Sequence, residues 1–337
     1  MQILSGLTQL EIETFLEPYK VSKFRARQIH QWIYSKFASS FDEMTDLSKN
    51  LREDLKKSAV IPFAAIAKKQ VSADGTIKYL LEYQDGNCVE TVLMRFDNRA
   101  NLTACVSSQV GCAMNCAFCQ TGKRGFIRNL SAKEIIEQVL TIQRDLKLKV
   151  TNVVFMGQGE PLLNFDNVLE AITLLNEELQ IGSRRITVST CGIIPKIKDL
   201  AEMDFRPTLA ISLHAPTSEL RQKIMPVETK YNIAELKKAL KYFTEKTGNR
   251  ITIEYTLIGG INDDIITAQK LAKYLKDLKC NINLIIYNPI KNDNFKRPLK
   301  EDIYKFKYIL ESSGKKVTTR LERGADIAAA CGQLAGE

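Results

Sequence analysis

The chain has 337 residues, of which 45% are hydrophobic and 26% are charged, and its formal net charge is +9. This length allows one large core and a smaller accessory unit, and no apolar run approaches the ~20 residues of a membrane span. Residues 1–6 lack the pattern of a secretory signal, so the eight cysteines predict reduced thiols in a cytoplasmic protein, and the positive charge favours a nucleic-acid partner.

The first segment, residues 1–58, is predicted to be a helical accessory domain. Thr8 and Glu11 have the spacing of a capping box, which marks the start of a helix. A second helix follows, with a basic face formed by Lys23, Arg25 and Arg27. Clustered basic residues favour an RNA contact, and an ordinary solvated helix surface is the alternative.

Residues 59–100 predict a short antiparallel β-meander. Alternating apolar runs at 69–71, 76–83 and 88–94 are separated by Asp-Gly pairs, a strong hairpin signal. Glu90 lies on the last strand, on a face that it shares with apolar side chains. A carboxylate there needs a partner or a task unless the position is an edge open to water.

From residue 101 to 322 the pattern alternates between strand and helix. Such alternation predicts a parallel sheet with right-handed crossovers, and six units suit a partial (βα)6 barrel of the TIM-like type. The predicted strands are 104–108, 152–156, 185–189, 208–213, 250–257 and 281–287. The predicted helices are 131–144, 166–177, 232–245 and 265–278. A helix over 301–312 and a strand over 317–321 precede a small-residue tail, 323–337.

The most informative motif is C-x3-C-x2-C, formed by Cys112, Cys116 and Cys119. A closed zinc site and an ordinary cubane both take four protein ligands. Three thiolates on one loop would leave one iron of a [4Fe-4S] cluster open to S-adenosylmethionine (SAM), which can bind it through amino and carboxylate groups. An incomplete zinc knuckle or buried packing cysteines are the alternatives.

Polar residues end several of the predicted strands. Because carboxyl ends of barrel strands face the active site, these residues predict a SAM pocket around the cysteine loop, although each alone is more often a turn former. The strand ends are 157–161, 189–190, 212–214 and 287–289. Cys105 on the first strand and Cys331 in the tail also stand apart from the cysteine loop.

Segments 105–112, 112–119, 128–130, 156–161, 212–215 and 329–334 together resemble the RlmN/Cfr family of radical-SAM RNA methyltransferases. The resemblance covers nearly the whole chain and implies a radical-SAM barrel that uses a [4Fe-4S] cluster and SAM. It assigns the cluster to Cys112, Cys116 and Cys119. It assigns the SAM pocket, in part through backbone atoms, to Gly159, Glu160, Ser189, Ser212, Leu213, His214 and Asn288.

The resemblance further implies methylation of C2 of an adenosine with two SAM molecules. Cys331 would carry the methyl group, Glu90 would handle a proton, and Cys105 would attack the Cys331 sulfur to release the product as a disulfide forms. The implied substrates are the peptidyl-transferase loop of 23S rRNA and the adenosine 3′ of the anticodon in some tRNAs. A low-potential electron donor such as flavodoxin or ferredoxin is also implied, and we expect a monomer.

Two other functions are compatible with the sequence. A Cfr-like adenine-C8 methyltransferase is the first, although such sequences carry a cysteine where this chain has Val110. The second is an iron–sulfur RNA-binding protein without catalysis, which would leave Glu90, Cys105 and Cys331 without roles.

Overall fold

The computed structural model describes residues 1–96, 99–204, 206–291 and 293–336. The chain begins with a helical unit comprising α1 (Gln9–Leu16), α2 (Lys23–Tyr34) and α3 (Lys49–Ser58), closed by the short parallel pair β1 (Gln2–Ile3) and β2 (Ala59–Val60). The predicted capping box is confirmed, because the Thr8 side chain accepts from Glu11 N–H and the Glu11 carboxylate accepts from Thr8 N–H. A buried carboxylate connects this unit to the barrel. Glu137, in the helix Ala132–Leu146, accepts hydrogen bonds from Ser5 Oγ and from Phe63 N–H.

The predicted meander is present. It comprises β3 (Ala65–Val71), β4 (Ile77–Glu82), β5 (Cys88–Phe96) and β6 (Arg99–Cys105), paired antiparallel in sequence order. Gly75 and Gly86 have φ of +79° and +76°, the left-handed conformation that tight hairpins need and that glycine adopts without a Cβ clash.

The first predicted barrel strand, 104–108, was placed too late in the chain. β6 ends at Cys105, and a separate antiparallel pair follows, β7 (Gln109–Gly111) with β8 (Phe126–Asn129). Between β7 and β8 lie the cysteine loop and the short helix α4 (Gln120–Arg124). Gly111 is required at the base of this excursion, because a Cβ there would lie 1.8 Å from the Gly125 carbonyl oxygen.

The remaining chain alternates as predicted and forms the parallel part of the fold. Its elements are α5 (Ala132–Leu146), β9 (Asn152–Phe155), α6 (Phe165–Glu177), β10 (Ile186–Thr190), α7 (Ile194–Ala201), β11 (Thr208–Ser212), α8 (Ser218–Ile224), α9 (Ile233–Thr247), β12 (Ile251–Leu257), α10 (Ile265–Leu275), β13 (Cys280–Ile286), α11 (Lys300–Ser312) and β14 (Lys316–Thr319). The spacing of Ser131 and Glu134 also predicts a capping box, and the structure has it at the start of α5. The short helices α7 and α8 were not predicted.

One sheet joins the two halves of the fold. Its strand order is β14-β13-β12-β11-β10-β9-β6-β5-β4-β3, with parallel pairing from β6 to β14. β6 therefore serves both as the last strand of the meander and as the first strand of the barrel. Within the described residues, no helix is both long and apolar enough to cross a membrane.

Candidate active site

A cavity at the carboxyl edge of the parallel strands brings the cysteine loop and the strand ends together. The predicted residues on its wall are Cys112, Cys116, Cys119, Gly159, Glu160, Ser189, Ser212 and His214. Cys331, from the tail, also lines it. Because parallel strands end at the same edge, residues spread over more than 200 positions of the sequence converge here.

The three cysteines lie on a loop that is fixed at both ends and in its middle. Cys112 N–H donates to Gly125 O at 2.9 Å, and Ala117 N–H donates to Ile224 O at 2.9 Å. Burial raises the pKa of the Cys112 thiol to about 12, and it raises the pKa values of Cys116 and Cys119 as well. Free thiols in this setting keep their protons, so a cationic centre is needed to hold them as thiolates.

The three cysteines are not grouped so that they could bind one zinc ion together, which is compatible with ligands of a larger cluster. Zn–S bonds of about 2.3 Å hold the sulfurs of a tetrahedral zinc site about 3.8 Å apart. Among the described residues, no three His, Cys, Asp or Glu side chains are grouped so that they could hold one metal ion. Three thiolates that bind three different irons of a cubane stand further apart, as an open [4Fe-4S] cluster requires.

Glu160 is buried beside the cysteine loop, and its carboxylate is already hydrogen-bonded. Oε1 accepts from Leu162 N–H at 3.0 Å and Oε2 accepts from Cys191 N–H at 2.8 Å. Burial nevertheless raises the pKa of this carboxyl. Each oxygen retains a lone pair, so the carboxylate can accept a further bond from a ligand ammonium group.

His214 is held as a neutral imidazole. Its Nδ1 accepts from Thr256 N–H at 2.9 Å, which assigns the ring proton to Nε2. Burial, assisted by the nearby Arg221, lowers the pKa of His214 to about 3. The ring packs edge-on against Phe118 of the cysteine loop, with ring centroids 4.8 Å apart. His214 therefore connects the loop to the ends of β11 and β12.

Two of the predicted pocket residues lie elsewhere. The Leu213 side chain is in the core, and its backbone N–H donates to Glu254 O while its carbonyl accepts from Arg221 Nε. Asn288 lines a second, adjoining cavity, where its Nδ2 donates to Cys331 O at 3.4 Å. Its buried Oδ1 has no hydrogen-bond partner in the described part of the chain.

Glu254 and Arg320 also line the first cavity and were not predicted. Glu254 Oε1 accepts from Asn283 Nδ2, whereas the buried Oε2 has no hydrogen-bond partner among described residues and lies 3.5 Å from Arg320 Nη1. An unsatisfied buried oxygen, like Asn288 Oδ1, is suited to a ligand hydroxyl or ammonium donor. The signal for Glu254 was present in the sequence, because it is the one carboxylate in the apolar strand β12. Arg320 follows the short β14 and carries no comparable signal.

The second cavity brings together the two cysteines that lie outside the loop. Cys105 and Cys331 both line it, together with Arg320. Burial, and then the proximity of Cys331, raises the pKa of the Cys105 thiol to about 12. Cys331 lines both cavities and is exposed, so one sulfur faces the cysteine loop on one side and the Cys105 cavity on the other.

Glu90 is buried, and both of its carboxylate oxygens have partners. The alternative that Glu90 lies at a sheet edge open to water is therefore wrong. Its Oε1 lies 2.8 Å from Lys78 Nζ, and its Oε2 accepts from the N–H groups of Ala335 and Gly336 at 2.6 and 2.8 Å. The meander is therefore attached directly to the last residues of the tail.

The tail is also held by the helix that follows the cysteine loop. Gln120 N–H donates to Gly332 O at 2.7 Å, and Thr121 Oγ1 donates to Leu334 O at 2.7 Å. Arg124 Nη1 donates to the carbonyls of Ala335 and Gly336. The segment that carries Cys331 thus closes over the site by contacts with the cysteine loop and with Glu90.

Comparisons with known proteins match this geometry. Residues 106–272 match the family model of the radical SAM superfamily, and residues 3–61 match that of the ribosomal RNA large subunit methyltransferase N-terminal domain. Two relatives share the name "Probable dual-specificity RNA methyltransferase RlmN". The one from Clostridium novyi is 46% identical over 337 residues, covering 99% of this chain and 98% of the relative. The one from Alkaliphilus oremlandii is 48% identical over 334 residues, covering 98% and 96%.

The solved structures include a close match over the full length. The crystal structure of a radical SAM methyltransferase from Sphaerobacter thermophilus superposes with a TM-score of 0.94 at 42% sequence identity and covers 100% of both chains.

Proposed function

Because the chain belongs to the RlmN family of radical-SAM RNA methyltransferases, we propose that it methylates C2 of adenosine. The proposed substrates are the peptidyl-transferase loop of 23S rRNA and the adenosine 3′ of the anticodon in some tRNAs, in line with the dual specificity in its relatives' name. One observation carries the proposal. Cys331 lines both the cavity of the cysteine loop and the cavity of Cys105. A methyl carrier must reach both places, because it takes up the methyl group at the first and gives up the product when the second thiol attacks it.

The cofactors of the proposed reaction are a [4Fe-4S] cluster and SAM, which when bound supply a methyl group and a 5′-deoxyadenosyl radical. Cys112, Cys116 and Cys119 would hold the cluster. Gly159, Glu160, Ser189, Ser212, Leu213, His214 and Asn288 would hold SAM, Leu213 through its backbone and Asn288 from the adjoining cavity. The unsatisfied oxygens of Glu254 and Asn288 support a ligand that is rich in donors.

The two remaining cysteines would form and break the bond to the substrate. Cys331 is exposed, so its thiolate can accept a methyl group and then present the carbon to the adenine. After that carbon is joined to the base, Cys105 thiolate attacks Cys331 Sγ and a disulfide forms. The S–C bond breaks with its electron pair going to the base-bound carbon, which takes up a proton to become the methyl group. The Arg320 guanidinium lines both cavities, and its positive charge favours the thiolate of Cys105. A thiol reductant must then reset the pair.

Glu90 is the proposed acceptor of the proton that leaves the substrate carbon. A general base must lie within hydrogen-bond reach of that proton. The tail amides of Ala335 and Gly336 now occupy Glu90 Oε2, so we expect the end of the tail to lift when RNA binds. This movement would break the two bonds to Glu90 and those from Arg124 Nη1 to the carbonyls of Ala335 and Gly336, none of which belongs to the sheet.

The proposed domains follow from these roles. Residues 1–58 would contact RNA, residues 59–100 would supply Glu90, residues 101–322 would form the barrel, and residues 323–337 would carry the methyl group. The target base must leave its stack to reach such a site, which is easiest in loops and single strands. We further propose a cytoplasmic monomer that receives electrons from flavodoxin or ferredoxin.

The proposed function is tested by anaerobic incubation of the reconstituted protein with SAM, a reductant and fragments of 23S rRNA or tRNA. Nucleoside mass spectrometry should detect 2-methyladenosine. Formation of 8-methyladenosine without 2-methyladenosine would instead identify a Cfr-like enzyme. RNA binding without SAM cleavage would identify a non-catalytic iron–sulfur protein.

A further inference from the structure

A buried lysine lies beside the proposed proton acceptor. Lys78 on β4 and Glu90 on β5 form an ion pair with Nζ and Oε1 2.8 Å apart, and their side chains are 9% and 1% exposed. Lysine is almost never buried to this extent unless it is paired, because its charge must leave water. The burial of Lys78 therefore depends on its pairing with Glu90, on the side of the meander that contacts the tail.

The two carboxylate oxygens of Glu90 have partners of different kinds. Oε1 is bound by Lys78, the second residue of β4, which is paired with β3 on one side and β5 on the other. Oε2 is bound only by the tail amides of Ala335 and Gly336 among the contacts described. When the end of the tail lifts, Oε2 loses its donors while Oε1 keeps its own. Oε2 is then the oxygen that is free to act.

The same ammonium group also binds the beginning of the tail. Lys78 Nζ donates to Ala328 O at 3.2 Å, three residues before Cys331. An ammonium group has three donors and can serve both partners at once. Lys78 thus sets the position of the proposed proton acceptor and of the segment that carries the methyl group relative to each other.

We propose that Lys78 is a positioning residue for the methyl-transfer reaction. It holds Glu90 by Oε1 so that Oε2 faces the substrate carbon, and it holds the carrier segment at Ala328 in the matching place. The proton then passes from that carbon to Oε2, the electron pair of the C–H bond stays with the ring, and the one unpaired electron of the adduct would return to the cofactor that supplied it. This inference rests on the proposed function, since both contacts of Lys78 are given a role only in methyl transfer.

The alternative is that Lys78 only anchors the tail and stabilises the fold. The two differ in which step slows when the charge is removed. Loss of a positioning residue slows proton removal after the base has been joined to Cys331. Loss of a structural anchor lowers the melting temperature or the RNA affinity and leaves the relative rates of the chemical steps unchanged.

The test compares Lys78→Met with Lys69→Met. Lys69 is the control, because it lies on β3 of the same hairpin and pairs with Asp145 of α5 instead of Glu90. Each variant is assayed with RNA that carries hydrogen or deuterium at C2 of the target adenosine. The measured quantities are kcat, the KM for RNA, the isotope effect on turnover, and the covalent Cys331–RNA adduct on a denaturing gel.

For Lys78→Met we expect kcat to fall about 100-fold, as for loss of a general acid–base contact, with the KM for RNA unchanged. The isotope effect should rise and the adduct should accumulate even though Cys105 is present. Lys78→Arg should restore most of the rate. In a Glu90→Gln background, Lys78→Met should cause a much smaller further loss, because the lysine acts on proton removal through the carboxylate and only its hydrogen bond to Ala328 O is then left to lose. If Lys78→Met does not fold, Lys78→Gln replaces it, since it keeps a polar side chain at this position but removes the charge, and the same fall in kcat and rise in the isotope effect are expected.

The inference is overturned if Lys78→Met turns over like Lys69→Met, or if its defect is confined to the KM for RNA or the melting temperature. It is also overturned if kcat falls without a larger isotope effect. If the wild-type protein forms no 2-methyladenosine, the proposed function itself fails. If the wild type forms it and Lys78→Met forms it equally fast, only the role of Lys78 fails.

Discussion

The buried guanidinium of Arg221 supports the ends of two strands that form the candidate site, and its removal should be costly. Its Nη1 lies 2.8 Å from Glu228 Oε2, in an ion pair whose side chains are 0% and 1% exposed. Its Nη2 donates to Cys191 O at 2.5 Å, and its Nε donates to Leu213 O at 3.2 Å. One side chain therefore satisfies a buried carboxylate and the carbonyls of the residues that directly follow β10 and β11.

Arg221→Met keeps the apolar stem and removes the charge. Glu228 would then be a buried carboxylate without its cation, a change that costs about 3–5 kcal/mol. With an unfolding entropy of about 2.1 cal/mol/K per residue, a chain of this length has about 0.7 kcal/mol/K in total. A loss of about 4 kcal/mol therefore lowers Tm by about 6 °C.

The assay is thermal unfolding of anaerobically purified protein, followed by circular dichroism. Lys238→Met is the control, because Lys238 forms an exposed pair with Glu235 that is worth less than about 1 kcal/mol. The double variant Arg221→Met/Glu228→Leu should recover part of the lost stability, since no unpaired charge remains. A Tm for Arg221→Met that equals the Tm of the control would refute the reasoning.

Three further predictions concern the site itself. His214→Asn should flatten the fall in stability below pH 6.5. The folded state holds the pKa of His214 near 3, against an ordinary value of 6.5, so the contribution of this residue to wild-type stability is present above pH 6.5 and declines by about 2 kcal/mol between pH 7 and pH 5. Urea unfolding at both pH values measures the free energy of unfolding, and an equal decline in the variant would contradict the prediction. Cys331→Ala should retain the cluster absorbance and SAM cleavage yet form no methyladenosine, as nucleoside mass spectrometry would show, and methylated product would disprove a carrier role. Gly157→Ala should weaken SAM binding, because the new Cβ would lie 2.7 Å from Val106 O and 2.8 Å from Ser107 N and would force the cavity wall to move. Equilibrium dialysis measures the affinity for SAM. An affinity equal to that of the wild type would show that the wall has room to adjust.

Much of the fold could be predicted because its signals are local. The capping boxes at Thr8 and Ser131 and the Asp-Gly hairpins depend on residues a few positions apart, and all are found in the structure. The alternation of strands and helices also fixed the parallel part of the sheet. Helices α7 and α8 were missed because they have eight and seven residues, too few for a clear helical period.

The pairing between distant segments could not be predicted in the same way. That β6 joins the meander to the barrel depends on hydrogen bonds between strands, which a single sequence does not encode by spacing. The convergence of Cys105 and Cys331 was expected from the family resemblance alone. The partners of Glu90 could not be predicted. Lys78 lies within a strand and Ala335 lies in the small-residue tail, and nothing in their local sequence indicates that they contact the same carboxylate.

The measurement that tests the central claim most directly is mass spectrometry of the Cys331 peptide from the Cys105→Ala variant after anaerobic incubation with SAM, reductant and RNA. If Cys331 carries the methyl group and Cys105 releases it, the peptide should bear an adenosine joined through one carbon to sulfur. Normal yields of 2-methyladenosine, with the Cys331 peptide free of nucleoside, would contradict the account.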